Sequence, residues 1–288
     1  MYFKKIIGKI RGKIRGKIRG DIPTLPSDCE RLDIDGIRTI RYYVYDYQNL
    51  ANTVAKDKSV LFIDIGANEG QSAHYAYHFF KDVQVISYEP LKSCIHFLCS
   101  IKQKHPNYIY KNVAFAEKKG FIDIRENLGI SGLSSIFPLN KEYLGYNNDA
   151  HSDDNNNLRE EVVKVESLTI DDEIPFWEGF SKDIKILKID TQGSELSILK
   201  HTGGGYLRMG NIDVVMIEII TANKYIGQAN YIDTINFMHD CGFEIFNIKP
   251  GFRTWNNRGI APEGMSYGMA DEYDFTFVHK NTLKKFNY

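Results

Sequence analysis

The sequence has few cysteines, no long apolar run and almost no net charge. Its 288 residues include four cysteines, none of them in a C-x-x-C pair, at Cys29, Cys94, Cys99 and Cys241. This spacing excludes the common structural zinc motifs and is typical of reduced thiols in a cytosol-like compartment. No stretch approaches the roughly 18 apolar residues of a membrane span, and no apolar segment follows the basic N-terminus as a secretory signal requires. These absences predict a cytoplasmic protein.

Charge is unevenly distributed along the chain. Residues 1–20 hold eight of the 36 basic residues and no acidic residue, which leaves 28 basic against 37 acidic residues in the remainder. The remainder is therefore near −9, which disfavours nucleic acid as a partner because phosphates need a basic surface. The basic segment repeats KIIG and then KIRG three times. Two interpretations are open, a flexible solvated tail or a weak peripheral contact with an anionic membrane surface.

Composition divides the chain into a basic tail at 1–22, an accessory segment at 23–58 and a main domain at 59–288. In the accessory segment, Asp33–Tyr47 is typical of a hairpin or strand-rich element with Asp35-Gly36 as its turn. In the main domain strands and helices alternate, and the 43% hydrophobic content is enough to bury a full core. Polar residues from Leu139 to Glu161 predict a loop.

The alternation predicts an α/β, Rossmann-like fold with a seven-stranded, mostly parallel sheet, one antiparallel strand in a closing hairpin, and helices on both faces. The predicted strands of this sheet are Val60–Ile65, Val83–Tyr88, Tyr108–Phe115, Lys185–Ile189, Val214–Ile219, Phe243–Ile248 and Tyr273–His279. Two further strands are predicted at 121–126 and 162–168. The predicted helices are Gln71–Phe80, Leu91–Lys104, Glu195–Arg208 and Tyr231–Cys241.

The motif DIGANEG ends the first of these strands and opens a helix. Its candidate ligand-binding residues are Asp64, Gly66, Ala67, Asn68 and Gly70. The glycines allow a tight turn and a close approach of a ligand to the main chain. The spacing is D-x-G-x-x-x-G, which differs from the G-x-G-x-x-G of dinucleotide sites, and Asp64 suits an ammonium group. A ligand bearing an amine is therefore favoured over a diphosphate.

The motif SYEP places Glu89 at the tip of the second strand, 25 residues after Asp64. An acid at this position can accept hydrogen bonds from both ribose hydroxyls of a nucleoside. The competing interpretation is that Glu89 only caps the following helix.

Two more carboxylates end neighbouring strands at the same edge of the predicted sheet, Asp190 and Glu218. A carboxylate at the end of a strand can act as a general base, and we take Asp190 as the first candidate and Glu218 as the second. The alternatives are an orienting or loop-holding role for Asp190 and a structural ion pair, for instance with Lys188, for Glu218. Glu195 opens a helix, where the helix dipole alone favours an acid, and His151 is a third candidate in the polar loop.

A metal is not predicted. Asp190 and Glu218 are hard oxygen ligands for a divalent cation, but two carboxylates are too few to define a site. His74 and His78 lie four residues apart on a predicted helix, a spacing that can chelate a metal, yet the sequence offers no evident third ligand.

Taken together, the motifs resemble the FkbM family of S-adenosylmethionine-dependent class I methyltransferases. The resemblance covers about residues 60–220 and rests on IDIGANEG, SYEP, NVAFAEKKG from Asn112, SGLSS from Ser131, VESLTIDD from Val165, LKIDTQGSELSILK from Leu187 and MIEI from Met216. It departs from the family's pattern in the polar excursion around 140–160 and in GGG at 203–205, which we interpret as loosening the chain after a helix.

The resemblance implies that residues 59–288 form a catalytic domain that uses S-adenosylmethionine to methylate a hydroxyl of a sugar, glycan or related natural product. A nucleic-acid methyltransferase is one alternative, although no NPPY-like tetrapeptide follows the fourth strand, where Asp190-Thr-Gln-Gly193 stands instead. A non-catalytic binding protein on the same fold is another. The sequence does not indicate the oligomeric state.

Overall fold

A computed structural model of the protein describes residues 31–34, 37–140, 159–250 and 272–285. Its strands in these ranges are β1 (Arg31–Ile34), β2 (Ile37–Ile40), β3 (Ser59–Ile65), β4 (Asp82–Tyr88), β5 (Ile109–Lys111), β6 (Ala114–Phe115), β7 (Gly120–Asn127), β8 (Glu160–Leu168), β9 (Ile184–Ile189), β10 (Val214–Ile220), β11 (Phe243–Pro250) and β12 (Glu272–His279). Its helices are α1 (Arg41–Asn52), α2 (Gln71–Phe79), α3 (Ile95–Lys104), α4 (Ile170–Glu178), α5 (Glu195–His201), α6 (Gly204–Arg208), α7 (Tyr231–Asp240) and α8 (Lys280–Lys285).

The main sheet has seven strands in the order β11-β12-β10-β9-β3-β4-β5. Strands β10, β9, β3, β4 and β5 run parallel to one another, and β12 runs antiparallel to both of its neighbours. The sequence Ser59–Ile65 is buried along nearly its whole length, as expected for a central strand covered on both faces. The predicted seven-stranded, mostly parallel sheet with one antiparallel strand is confirmed.

Helices cover both faces of this sheet, as predicted. On one face α1, α2 and α3 pack over alternate strand residues such as Phe62, Ile186 and Met216. On the other face α4, α5, α6 and α7 pack over the intervening residues, including Ile63 and Leu187. This alternation matters for the site, because Asp64, Lys188, Asp190 and Glu218 continue the first series and their side chains belong to the face covered by α1 and α2.

The predicted strand Tyr108–Phe115 is wrong in one respect, because it is two strands in two different sheets. Its first part is β5 in the main sheet, and its last part, β6, pairs with β8 in a separate sheet of order β6-β8-β7. Between them the Asn112 side chain donates hydrogen bonds to the carbonyls of Glu89 (2.7 Å) and Pro90 (2.9 Å). These bonds anchor the break, so the second sheet projects over the carboxyl ends of the main strands.

The single predicted helix Glu195–Arg208 is also wrong, since the chain breaks it at Thr202 and Gly203 into α5 and α6. Gly203 has φ +71°, and a Cβ there would lie 2.5 Å from Cγ2 of Ile170. The glycine therefore allows α4 to pack against the break, and our interpretation of the GGG segment as merely loosening the chain is corrected.

The accessory segment contains the predicted hairpin, β1 paired antiparallel to β2, but the helix α1 begins at Arg41 inside the stretch predicted as strand-rich. Tyr and Val have high strand propensity, yet Val44, Tyr47 and Leu50 recur at helical spacing and are buried against the sheet, which decides the outcome. The basic tail, Asp35-Gly36, and residues 141–158 with His151 lie outside the described residues. No helix in the described ranges is both long enough and apolar enough to span a membrane.

Candidate active site

The loop between β3 and α2 forms the centre of the candidate site. Gly66 has φ +82°, and a Cβ on it would lie 1.8 Å from the backbone oxygen of Asp190, so the loop is in direct contact with the end of β9. The backbone N–H groups of Gly66 and Ala67 both donate to the Tyr88 carbonyl, at 3.0 and 3.1 Å. Gly70 is required for a different reason, since a Cβ there would meet Ile101 Cδ1 at 2.3 Å.

Glu89 follows β4 directly and is 4% exposed. Its Oε2 accepts a hydrogen bond from the backbone N–H of Asn68 (2.7 Å), and its Oε1 accepts one from Leu91 N–H (2.8 Å). Burial raises the pKa of Glu89 to about 7 in spite of these two donors. Each carboxylate oxygen keeps a lone pair, so the fixed carboxylate can still accept two hydroxyl donors.

Glu89 lines a cavity at the edge of the main sheet that opens to solvent and has about 710 Å³ of empty space when its open mouth is included. We call this the first cavity. Gly66 and Asn68 line it on one side, and apolar side chains from the second sheet and its connection line the other, including Val113 and Phe115. It therefore combines a hydroxyl-accepting carboxylate with an apolar wall suited to a flat ring.

Asp64, which we predicted to face an ammonium group, is fully buried and does not line the cavities described here. Its Oδ1 lies 3.5 Å from Lys188 Nζ, which also lies 3.3 Å from Asp190 Oδ2. Burial lowers the pKa of Lys188, but the charges of Asp190 and Asp64 outweigh it and hold that pKa above its usual value. Asp64 thus keeps Lys188 charged beside Asp190.

Gln192 joins the two candidate bases. Its Nε2 donates to Asp190 Oδ1 at 3.0 Å and to Glu218 Oε2 at 2.6 Å. Its Oε1 accepts from Lys224 Nζ (3.2 Å) and from the Tyr225 hydroxyl (2.7 Å). A lysine ammonium can only donate, so these partners fix which end of the amide faces the carboxylates. The residue adopts φ +56°, a conformation uncommon for a non-glycine residue and worth noting at a candidate site.

Glu195 holds the loop that contains Gln192. Its carboxylate accepts hydrogen bonds from the backbone N–H groups of Thr191 (2.7 Å) and Gly193 (3.0 Å). Burial raises the pKa of Glu195 to about 7, and burial together with the charge of Asp190 raises the pKa of Glu218 well above its usual value. One oxygen from each of Asp190, Glu195 and Glu218 lies within 4.8 Å of the others, which adds a third potential cation ligand to the two predicted.

A second cavity, with about 700 Å³ of empty space when its opening to solvent is included, lies on the face of the sheet covered by α1 and α2. Its walls include Asp190 and Glu218 from the strand ends, Tyr47 from α1, and Lys249 and Asp274 from β11 and β12. Asp190 is the single residue shared by the described linings of the two cavities.

The structure thus brings Gly66, Asn68, Glu89 and Asp190 together around the first cavity, whereas Ala67 and Gly70 shape the loop behind it. The pair His74 and His78 is on α2, and neither belongs to the group of potential metal ligands found among the described residues. Sequence reasoning missed Gln192, Lys224 and the apolar wall. The motif stretches NVAFAEKKG and SGLSS supply part of that wall, but the sequence carries no signal for the Gln192 contacts.

The reversed strand β12 beside a parallel sheet, the glycine turn after β3 and the buried carboxylate after β4 define the fold of a class I methyltransferase. The chain belongs to the FkbM methyltransferase family, because the family model "Methyltransferase FkbM domain" matches residues 64–245. Methyltransferases of this family use S-adenosylmethionine as the methyl donor.

Comparison with solved structures returns further methyltransferases. An FkbM methyltransferase from Methylobacillus flagellatus is 13% identical with a TM-score of 0.44, over 77% of this chain and 44% of that chain, so this chain spans less than half of that protein's length. A precorrin-6y C5,15-methyltransferase from Geobacter metallireducens is 10% identical (TM-score 0.40; 88% and 95% covered). Fibrillarin from Aeropyrum pernix with bound S-adenosyl-L-methionine is 10% identical (TM-score 0.39; 92% and 85%). No curated protein matched the chain.

Proposed function

We propose that the protein transfers the methyl group of S-adenosylmethionine to a hydroxyl of a sugar, glycan or related polyol, with Asp190 as the general base. The observation that carries the proposal is the position of Asp190, the single residue among the described linings that borders both the first and the second cavity. A base that touches both spaces can meet a donor in one and an acceptor in the other. Such fixed proximity is a major source of rate enhancement in group transfer.

The first cavity fits the nucleoside part of S-adenosylmethionine. Glu89 would accept the ribose hydroxyls, since it lines the cavity and its buried carboxylate is oriented by two backbone N–H groups. The apolar side chains of Val113 and Phe115 would contact the adenine ring of the nucleoside. The close contact of Gly66 with the end of β9 leaves no room for a side chain in this turn.

When bound, S-adenosylmethionine supplies an electrophilic methyl carbon on a positively charged sulfur. Asp190 would take the proton of the acceptor hydroxyl as the new oxygen–carbon bond forms and the sulfur–carbon bond breaks, which leaves S-adenosylhomocysteine. Lys188 and the Gln192 amide hold the Asp190 carboxylate in place.

Glu218 differs from Asp190 although both accept from the same amide. Its pKa is raised by burial, and its oxygen lies 2.6 Å from Gln192 Nε2. We therefore assign Asp190 as the proton acceptor and Glu218 as the group that keeps Gln192 oriented and can hold a second proton.

A cation at Asp190, Glu195 and Glu218 is the second candidate feature. The three oxygens are close enough for one, but Glu195 already accepts two backbone N–H groups, and the donors of Gln192 point at the other two carboxylates. Activity that disappears with chelator and returns with magnesium or manganese would support the cation.

The proposal is tested by incubating the protein with methyl-labelled S-adenosylmethionine and a panel of glycans and of RNA, and by locating the label in the product by mass spectrometry. We expect a methyl ether on a hydroxyl of a glycan or polyol. Label in RNA would favour the nucleic-acid alternative. Donor binding in calorimetry without transfer to any member of the panel or to a cell extract would favour a binding protein.

A further inference from the structure

We propose that the second cavity is the acceptor site and that it selects an uncharged or amine-bearing polyol over a phosphorylated or carboxylated one. This inference rests on the proposed function, because an acceptor must reach Asp190 from a side that the donor does not occupy. Asp190 lies on the wall of the second cavity and Glu218 lies beside it, so a hydroxyl placed there is next to the assigned base.

The charge of the second cavity indicates which class of acceptor it would bind. Four carboxyl groups line it, from Asp46, Asp190, Glu218 and Asp274, against the two ammonium groups of Lys188 and Lys249. Neither ammonium is available to an anion. Lys188 lies between Asp64 and Asp190, and Lys249 Nζ lies 2.9 Å from Asp46 Oδ2 and 3.0 Å from Asp274 Oδ2. A phosphate or carboxylate on the acceptor would therefore meet an excess of negative charge.

The polar groups of this cavity are also held in fixed positions, as recognition of hydroxyls requires. Asp46 is 1% exposed, accepts a hydrogen bond from Asn247 on β11 and forms an ion pair with Lys249. Thr276 is likewise 1% exposed and lines the cavity, and its Oγ1 has no hydrogen-bond partner in the part of the chain that the structure describes. An unpartnered buried hydroxyl is costly, and a ligand hydroxyl would satisfy it.

Aromatic rings complete the wall. Tyr47 and Tyr75 both line the cavity, and their ring centroids lie 5.4 Å apart at an edge-to-face angle of 71°. Their rings offer apolar surface for the C–H side of a polyol, while the carboxylates and Thr276 offer acceptors and a donor for its hydroxyls. Small-molecule sites commonly combine such an apolar wall with a few oriented polar groups.

The test uses the full chain saturated with S-adenosylhomocysteine and four probes that differ mainly in charge: methyl glucoside, glucosamine, glucuronic acid and glucose 6-phosphate. Binding is measured by saturation-transfer NMR, and S-adenosylhomocysteine affinity is measured separately by calorimetry. The variants are Asp274→Lys, Thr276→Val and, as a control with the same change of charge, Asp240→Lys, whose carboxylate is exposed at the end of α7 on the other face of the sheet.

We expect the wild-type protein to bind methyl glucoside and glucosamine and to bind the two anions at least about tenfold more weakly. Asp274→Lys should remove most of that difference, Asp240→Lys should not, and Thr276→Val should weaken methyl glucoside severalfold at an unchanged melting temperature. S-adenosylhomocysteine affinity should stay within twofold in every variant.

Three results would overturn the inference. One is binding of glucose 6-phosphate or glucuronic acid as tight as that of methyl glucoside. A second is that Asp274→Lys and Thr276→Val both bind every probe as the wild-type protein does, or that the wild-type protein binds none of the probes. The third is a large loss of S-adenosylhomocysteine affinity in Asp274→Lys or Thr276→Val, which would place the donor in the second cavity. The labelling experiment above judges the methyl transfer itself, so the two proposals fail separately.

Discussion

Replacing Gln192 by methionine should separate positioning of the bases from their chemistry. The unbranched side chain keeps the approximate shape but removes the two hydrogen bonds donated to Asp190 and Glu218 and the two accepted from Lys224 and Tyr225. Lys224 keeps Glu272 at 2.6 Å, so the main loss falls on the two carboxylates. A hydrogen bond to a charged group contributes about 1.5–3 kcal/mol, and two such bonds to carboxylates are lost. Because rearrangement of the neighbouring groups recovers part of this, we expect the free energy of unfolding to fall by about 2–4 kcal/mol.

That loss corresponds to a fall in melting temperature of roughly 3–7 °C for a chain of this size. Catalysis should change with a distinct signature. Without the bridging N–H groups the two carboxylates repel each other, which disfavours the state in which both are ionised. The base is active when ionised, so the acidic limb of the rate profile should move to higher pH and turnover at pH 7 should fall.

The measurements are melting by calorimetry and kcat across pH 5.5–9.5, with Gln228→Met as the control. Gln228 makes comparable hydrogen bonds in a neighbouring loop, accepting from Tyr225 N–H (2.7 Å) and donating to the Ala222 carbonyl (2.7 Å), but it touches neither candidate base. The control should lose stability without a shift of the pH profile. A Gln192→Met profile that coincides with wild type would refute the view that the amide couples Asp190 to Glu218.

Four further outcomes are expected. Asp190→Asn should lower turnover roughly a hundredfold to ten-thousandfold in a methyl-transfer assay while calorimetric donor affinity changes little, and a joint collapse would make Asp190 a donor ligand instead. Glu89→Ala should weaken S-adenosylmethionine by about 1.5–3 kcal/mol per lost ribose bond, and unchanged affinity in calorimetry would remove Glu89 from the site. Because the folded pKa of Glu89 is about 7, above its ordinary 4.5, the apoprotein should lose stability as pH rises from about 4.5 to about 7, and Glu89→Gln should flatten that part of a denaturation series. Gly66→Ala should lower both melting temperature and donor affinity because its Cβ would lie 1.8 Å from a backbone oxygen, whereas Gly205→Ala, with open space around the new methyl, should do neither.

Much of the fold was predictable from local patterns. The strands β3, β9 and β10 are short apolar runs that end in Asp64-x-Gly66, Asp190 and Glu218, and this order already implies a parallel sheet with its polar residues at one edge. The predictions failed where a local preference met a tertiary contact. The aromatic stretch at the start of α1 became helical to bury Tyr47, and Gly203 broke a helix so that Ile170 could pack.

In the candidate site, too, some features were predictable from local patterns and others depended on tertiary contacts. Gly66, Asn68, Glu89 and Asp190 could be placed at one edge of a sheet because the carboxyl ends of parallel strands meet there, whatever the details of packing. The role predicted for Asp64 could not be judged from the motif, since whether a strand-end carboxylate faces a ligand or a lysine depends on what the neighbouring strand carries. Here β9 places Lys188 directly opposite it.

The sequence by itself determined the class of fold, the glycine turn and the carboxylates available for chemistry, because each depends on residue type and on spacing along one segment. Only the tertiary structure decided that Gln192 bridges Asp190 and Glu218, and that residues from α1, β11 and β12 close a second, acidic cavity beside the same aspartate. Asp46 and Lys249 are some two hundred residues apart in the chain yet lie 2.9 Å apart in space. Such contacts follow from the order in which the strands assemble, and no local pattern records them.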